Sequence, residues 1–279
     1  LMVFLISILL GLSMGSGTVF SLQYGAGDLS ALRRSIYVSL LLIGTVTILL
    51  NVAVFLWLDP ILRWLQVPYD IYPLMRNYLW IIFWGIVFTF LYNFYAALLR
   101  AVGDSVTPLW FLAVSVVLNI GLDLFLILVL DQGIEGAAVA TVIAQGTAAS
   151  GILLYTYKIR PELRLHREDM RFDRSSLREI TSFSTLTCVQ QSVMNFGILM
   201  VQGLVNSFGP IIMAAFAAAV KIDSFAYMPV QDFGNAFSTF TAQNYGAGEY
   251  GRIQEGIKKA ILTVTTVSYT HLRAHETLR

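Results

Sequence analysis

The sequence predicts an all-α fold, a polytopic transmembrane helical bundle, and three observations carry that prediction. Hydrophobic residues make up 57% of the 279 positions and charged residues only 13%, with a mean hydropathy of +0.70. A soluble domain carries about a quarter charged residues. Apolar runs near the roughly 20 residues needed to cross a bilayer recur along the whole chain. Lys and Arg, finally, gather in every second connection between those runs.

The candidate spans are residues 1–20, 36–58, 78–98, 109–130, 136–157, 180–207, 211–241 and 256–267. Breakers separate them where helices should stop. They are Gly25-Ala26-Gly27-Asp28, Asp59-Pro60, Gly103-Asp104-Ser105-Val106-Thr107-Pro108, Asp131-Gln132-Gly133, Gly209-Pro210 and Gly246-Ala247-Gly248. The first run is already apolar at Leu1 and reads as a span cut short rather than a signal peptide. The run 211–241 is too long for a straight crossing and is expected to kink at Pro229. Beyond Val267 the text resembles translated adapter sequence and is set aside as an artefactual tail. The Trp residues 57, 64, 80, 84 and 110 are expected near span ends, as an aromatic belt.

Orientation follows from the cations. One set of alternate connections holds Arg33, Arg34, Arg100, Lys158, Arg160, Arg164, Arg167, Arg171, Arg174, Arg178, Arg252, Lys258 and Lys259; the other holds Arg63 and Arg76. The richer set is assigned to the cytoplasm. A net charge of +1 gives no basic field for nucleic acid, and a single cysteine, Cys188, excludes a disulfide framework. All three histidines lie outside the apolar runs.

Gln23-Tyr24-Gly25-Ala26-Gly27-Asp28 recurs as Gln243-Asn244-Tyr245-Gly246-Ala247-Gly248-Glu249. Each copy closes an apolar run on the cytoplasmic side and leads into another. This is a parallel repeat, a common plan among transporters with a central site.

Several motifs resemble the multidrug and toxic compound extrusion (MATE) family in order and spacing. Leu99–Pro108 looks like its loop between spans four and five, and Asn119-Ile120-Gly121-Leu122-Asp123 like its fifth span. Gly133–Thr141 looks like the start of span six, and Lys221-Ile222-Asp223 with Gln243–Ala247 like span eight and the loop after it. The resemblance implies a twelve-span protein of two pseudo-symmetric six-helix lobes, of which this chain covers spans two to eight and part of nine. Residues 1–158 would then be the N-terminal lobe, 159–178 a cytoplasmic inter-lobe linker, 179–267 the start of the C-terminal lobe and 268–279 the tail.

Asp123 is the sharpest candidate for chemistry. An ionisable residue within a span costs roughly 2.5–3.5 kcal/mol on insertion scales, so it is a functional candidate by default. Asn119 lies one turn earlier on the same face. With a rise of about 1.5 Å per residue, Asp123 and Thr141 sit roughly 10 and 8 Å from the outer ends of adjacent spans. A carboxylate, an amide and a hydroxyl at similar depth suit a proton network or a small oxygen-loving cation such as Na⁺. The structural alternative is plain hydrogen bonding between helices. The resemblance implies that Asp123, Asn119 and Thr141 match the family's N-lobe cation site, which also draws on span one.

Lys221 and Asp223 are two residues apart and cannot face each other on a helix. They line a central cavity or serve as a structural interhelical pair. Gln190, Gln191 and Asn195 fall on overlapping faces of the preceding span, and Tyr227 is a further candidate for the cavity wall. Thr187-Cys188-Val189-Gln190-Gln191 holds no carboxylate where some family members have one, which favours coupling through the N-lobe. Gly11-Leu12-Ser13-Met14-Gly15 has the spelling of a nucleophile elbow but no histidine at membrane depth; it reads as a small-residue packing face.

The resemblance thus implies a cation-coupled antiporter, driven by H⁺ or Na⁺, that exports cationic amphipathic compounds across the bacterial cytoplasmic membrane. No further cofactor, no nucleic acid and a monomeric state surrounded by lipid are expected. A flippase of lipid-linked saccharides from a related group is the alternative, weakened because Lys221 is the one basic residue in the interior of a span. An intramembrane enzyme would need a histidine, metal cluster or carboxylate pair at depth, and a passive scaffold would leave the buried charges without purpose.

Overall fold

The computed structural model describes residues 2–64, 69–206 and 208–276. Leu1, where the first candidate span begins, and the last residues of the tail, 277–279, lie outside these described residues.

Eight long helices follow one another: α1 (Met2–Gly25), α2 (Leu29–Trp64), α3 (Tyr72–Ala101), α4 (Val106–Leu124), α5 (Gly133–Ile159), α6 (Arg174–Asn206), α7 (Pro210–Gly246) and α8 (Tyr250–Glu276). α4 continues into a π-helical turn at Phe125–Val129, and a short 3-10 turn occupies Pro161–Leu163. Five of the described helices are long and apolar enough to cross a membrane. The two halves of α7, bent by 41° between Ile222 and Tyr227, make a sixth. The bend lies one turn before Pro229, where the proline ring crowds the carbonyl of Phe225, so the kink comes N-terminal to the proline itself.

α6 is 33 residues long, enough to cross, and covers residues 180–206 of the expected span. Thr185, Thr187, Gln190, Gln191, Ser192 and Asn195 dilute it. Part of that polarity is satisfied on α1, where Ser184 donates to the Leu12 carbonyl at 3.1 Å and its Oγ lies 3.4 Å from that of Ser16.

The chain forms two compact units: Leu1–Phe20 with Leu29–Ser192, and Ser21–Asp28 with Val193–Arg279. The division between these units falls within α6, whose first half packs on α1. A Cβ on Gly11 would lie 2.7 Å from the Cys188 Cα, and one on Gly15 would run into the Ser184 backbone. Gly11 and Gly15 are therefore a close-packing face, as small residues four apart allow.

In the first unit the buried stripe of α2 runs through Ile36, Ile43, Thr47, Asn51, Val54, Leu58 and Leu62. Its opposite face exposes Ile48, Leu49, Val52, Leu56 and Trp57. A helix that is greasy on both faces belongs in lipid. α3 fills the centre with Phe83, Ile86, Phe90, Phe94 and Leu98, and Phe94 meets Phe20 edge-on at 5.9 Å. Trp84 lies 12 residues beyond Tyr72, where α3 begins, and packs against Phe55 with ring centroids 5.1 Å apart.

In the second unit the two repeat copies have one geometry. Gly27 and Gly248 both take φ +73, the left-handed conformation that glycine supplies at a helix end. Ala26 N donates to Leu22 O and Ala247 N to Gln243 O, each at 3.0 Å, and Gly27→Tyr24 and Gly248→Tyr245 repeat the match. The structural register pairs Leu22 with Gln243 and Gln23 with Asn244. Tyr24-Gly25-Ala26-Gly27 thus superposes in order on Tyr245-Gly246-Ala247-Gly248. The helix ends cross at these copies: a Cβ on Gly25 would collide with the Gln243 carbonyl, and one on Gly246 with the Leu22 carbonyl.

Candidate cation site

α4 is inside out by the standard of a soluble helix. Leu109, Leu112, Val116, Val117, Ile120 and Leu124 are exposed, while only Pro108 and Ser115 are fully buried. The polar side chains Ser115, Asn119 and Asp123 are spaced i, i+4, i+8 and share the opposite face. Lipid inverts the usual pattern in this way, because hydrocarbon covers the apolar face and the neighbouring helix must satisfy the polar one.

α5 does so. A turn with Asp131 at φ 51 and Gly133 at φ 55 reverses the chain. The small residues Gly136, Ala138, Ala140, Ala144 and Ala148 then allow close approach along α5. Ser115 donates to the Ala144 carbonyl at 2.9 Å. One turn further out, Asn119 Nδ2 donates to Thr141 Oγ1 at 3.5 Å, and the Thr141 hydroxyl spends its proton on the Ala137 carbonyl at 2.9 Å. Asn119 therefore uses its donor end and keeps its amide oxygen as an acceptor.

Asp123 is the next rung. Its side chain is half-buried, and one carboxylate oxygen, Oδ1, is enclosed with no hydrogen-bond partner. Buried polar atoms are almost always partnered, so an orphaned carboxylate oxygen points to something that binds there. The π turn begins two residues later, and such turns concentrate at functional positions. A bound proton, or a cation taking oxygen ligands, would satisfy Oδ1, one helical turn from Asn119. Among the described residues no cluster of three or more His, Cys, Asp or Glu exists. The described residues at this place offer the Asp123 carboxylate with the Asn119 amide and the Thr141 hydroxyl. Ser115, the foot of this ladder, was missed in the sequence; the i−4 spacing from Asn119 is the signal that marks it.

The other candidates are more scattered. Gln190 and Gln191 belong to the first unit, whereas Asn195, Lys221 and Tyr227 belong to the second. Tyr227 donates to Met194 Sδ at 3.0 Å, tying α7 to α6. Lys221 is exposed, and the side chain of Asp223 lies outside the described residues.

Polar pairs fasten both ends of the first unit. At one end Arg76 donates to Asp59 at 2.8 Å and Asn77 to Glu135 at 2.9 Å. At the other end Asp104 accepts from the Thr107 amide at 3.1 Å, the Thr107 hydroxyl at 2.9 Å and Arg160 at 3.4 Å. Burial alone would raise the Asp104 pKa, but these donors outweigh it and hold the carboxyl below its usual range.

Long lipid-compatible helices with an inward polar face define a multi-pass helical membrane protein. The MatE family model matches residues 1–125 and 187–271, and the chain belongs to that family. Membership places it among transporters rather than enzymes. It is 34% identical over 248 residues to the "Probable multidrug resistance protein YpnP" of Bacillus subtilis, covering 89% of this chain and 55% of that protein. It is 30% identical to the "Probable multidrug resistance protein YoeA" of the same organism, covering 92% and 57%. The chain thus spans little more than half the length of these relatives. Among solved structures, the outward-facing conformation of a multidrug resistance MATE family transporter superposes with a TM-score of 0.89 at 19% identity. That match covers 98% of this chain and 61% of the other, and at this identity it speaks for the fold alone.

Proposed function

We propose that the complete protein is a cation-coupled antiporter exporting cationic amphipathic compounds across the bacterial cytoplasmic membrane, with H⁺ or Na⁺ bound at Asp123, Asn119 and Thr141. The observation that carries this reading is the enclosed, unpartnered Oδ1 of Asp123, one turn from the Asn119–Thr141 pair. The names of the relatives add the drug-resistance context. An ionised carboxylate in this setting is costly, and a bound proton or cation removes the cost. Occupancy would therefore bias the packing of α4 against α5, and a difference in affinity between two packings is what turns ion binding into movement. Lys221, Asp223, Gln190, Gln191, Asn195 and Tyr227 would serve the substrate path.

The test is ethidium efflux from vesicles holding the complete protein, with a pH gradient and then a sodium gradient imposed. Asp123→Asn is expected to abolish gradient-driven efflux while insertion and helix content stay as in the wild type. Unchanged efflux from Asp123→Asn would overturn the proposal.

A further inference from the structure

The segment from Arg164 to Arg178 has more cations than its own carboxylates can use. Asp169 is committed to the bundle: it accepts from Arg33 Nε at 2.9 Å and from the His166 amide at 3.1 Å. Asp173 is committed to the start of α6, where it accepts from the Ser175 hydroxyl at 2.7 Å and the Ser176 hydroxyl at 2.8 Å, and from both amides. Arg164 is likewise occupied, donating to the Tyr157 carbonyl at 2.6 Å and lying 4.8 Å over the Tyr157 ring. Four guanidinium groups are left against one uncommitted carboxylate, the exposed Glu168. Arg167, Arg171, Arg174 and Arg178 are all exposed, and none has an ion pair or hydrogen bond among the described residues.

Two large apolar side chains stand among these cations. Met170 is 46% exposed and Phe172 is 62% exposed. Neither is covered by the unit that holds the segment, although that unit buries Leu163 beside it to 4%. The segment leaves α5 at Ile159 and re-enters as α6 at Arg174, and the Lys and Arg bias of the connections assigns it to the cytoplasmic surface. A row of free arginines with exposed phenyl and thioether groups between them fits an anionic leaflet. Phosphates accept bidentate guanidinium contacts, and the apolar groups gain by entering the acyl boundary.

We propose that residues 167–178 form an anionic-lipid docking surface. Arg167, Arg171, Arg174 and Arg178 engage headgroup phosphates while Met170 and Phe172 sink between them. The surface fixes the 159–178 connection on the membrane and does not depend on which cation the transporter uses.

Amide hydrogen exchange of residues 165–174 tests this on the complete transporter. Nanodiscs of pure phosphatidylcholine are compared with nanodiscs holding about one third phosphatidylglycerol. Exchange should slow by about tenfold or more with the anionic lipid, since each basic side chain near such a surface is attracted separately. High salt should reverse the effect by screening. Substituting the four arginines together, each as Arg→Gln, should abolish the lipid dependence. Phe172→Ser should weaken it while leaving its salt sensitivity. Equal exchange in the two lipids would overturn the proposal, and so would full protection in phosphatidylcholine on adding inorganic phosphate, which would mark a small-anion site. Should the quadruple variant fail to fold, the lipid and salt comparison on the unmodified protein decides alone.

Discussion

Gly25 and Gly246 occupy equivalent places in the two repeats, and each abuts the backbone carbonyl three residues before the other, Gln243 and Leu22. The contact is reciprocal, as a local two-fold crossing of helix ends requires. A methyl group at either place meets a carbonyl held in its own helix-end hydrogen bond, from Ala247 or Ala26. Neither carbonyl can turn aside cheaply. Gly25→Ala and Gly246→Ala are each expected to destabilise by about 1–3 kcal/mol, the usual range for overpacking. The double variant should cost less than the sum, because one separation of the helices relieves both collisions. Thermal unfolding in detergent measures this; full additivity of the two costs would contradict a shared crossing.

The rungs between α4 and α5 should separate structural from ion-linked roles. Ser115 donates to a backbone carbonyl at the inner end of the ladder, away from Asp123. Ser115→Ala is expected to cost about 1 kcal/mol of stability, a typical net hydrogen bond, with the ion dependence of efflux unchanged. Asn119→Ala removes both the donor to Thr141 and the spare amide oxygen, so it should shift the half-saturating ion concentration as well. A shift from Ser115→Ala as large as that from Asn119→Ala would show that the ladder acts as one unit.

Much of this arrangement is legible in the sequence. The approach of Asn119 to Thr141 follows from i,i+4 spacing, a short turn and equal depth, all local quantities. The Gly11–Gly15 face is equally local. What escaped depends on partners. Ser115 looks like filler in an apolar helix until Asn119 is used as a ruler. The packing of the first half of α6 on α1 is likewise hidden until the Ser184 hydroxyl is seen to donate to the Leu12 carbonyl. The shared Tyr-Gly-Ala-Gly spelling of the two repeats, by contrast, already marks the glycines at which both backbones turn.

Gly15 sets how closely α1 approaches α6. Gly15→Leu would place a branched side chain against the Ser184 backbone and force the helices apart, breaking the Ser184–Leu12 hydrogen bond of 3.1 Å. Loss of the fold is the expected outcome, seen as aggregation in gel filtration. Leu12→Met, which leaves the backbone acceptor in place, should behave as wild type. Normal elution of Gly15→Leu would mean that this packing face is dispensable.

Asp169 should hold the connection between α5 and α6 against α2 over the whole physiological range. Burial opposes its ionisation, but the His166 amide and the Arg33 guanidinium overcome this and hold the carboxyl below its ordinary 3.8. The folded form therefore takes up its proton at lower pH than the unfolded chain. The contribution is complete above 3.8 and is lost only as pH falls through the lowered folded value. Amide exchange of residues 163–170, corrected for intrinsic rates, should thus be flat from about pH 8 to pH 5 and accelerate only in stronger acid. Asp169→Asn keeps the shape but removes the charge facing Arg33, whose side chain is only 21% exposed. A charge-assisted bond of this kind contributes about 1.5–3 kcal/mol. The variant should therefore expose the segment to trypsin at neutral pH. Acceleration of the wild-type exchange already near pH 6 would contradict the Arg33–Asp169 pair as the pin.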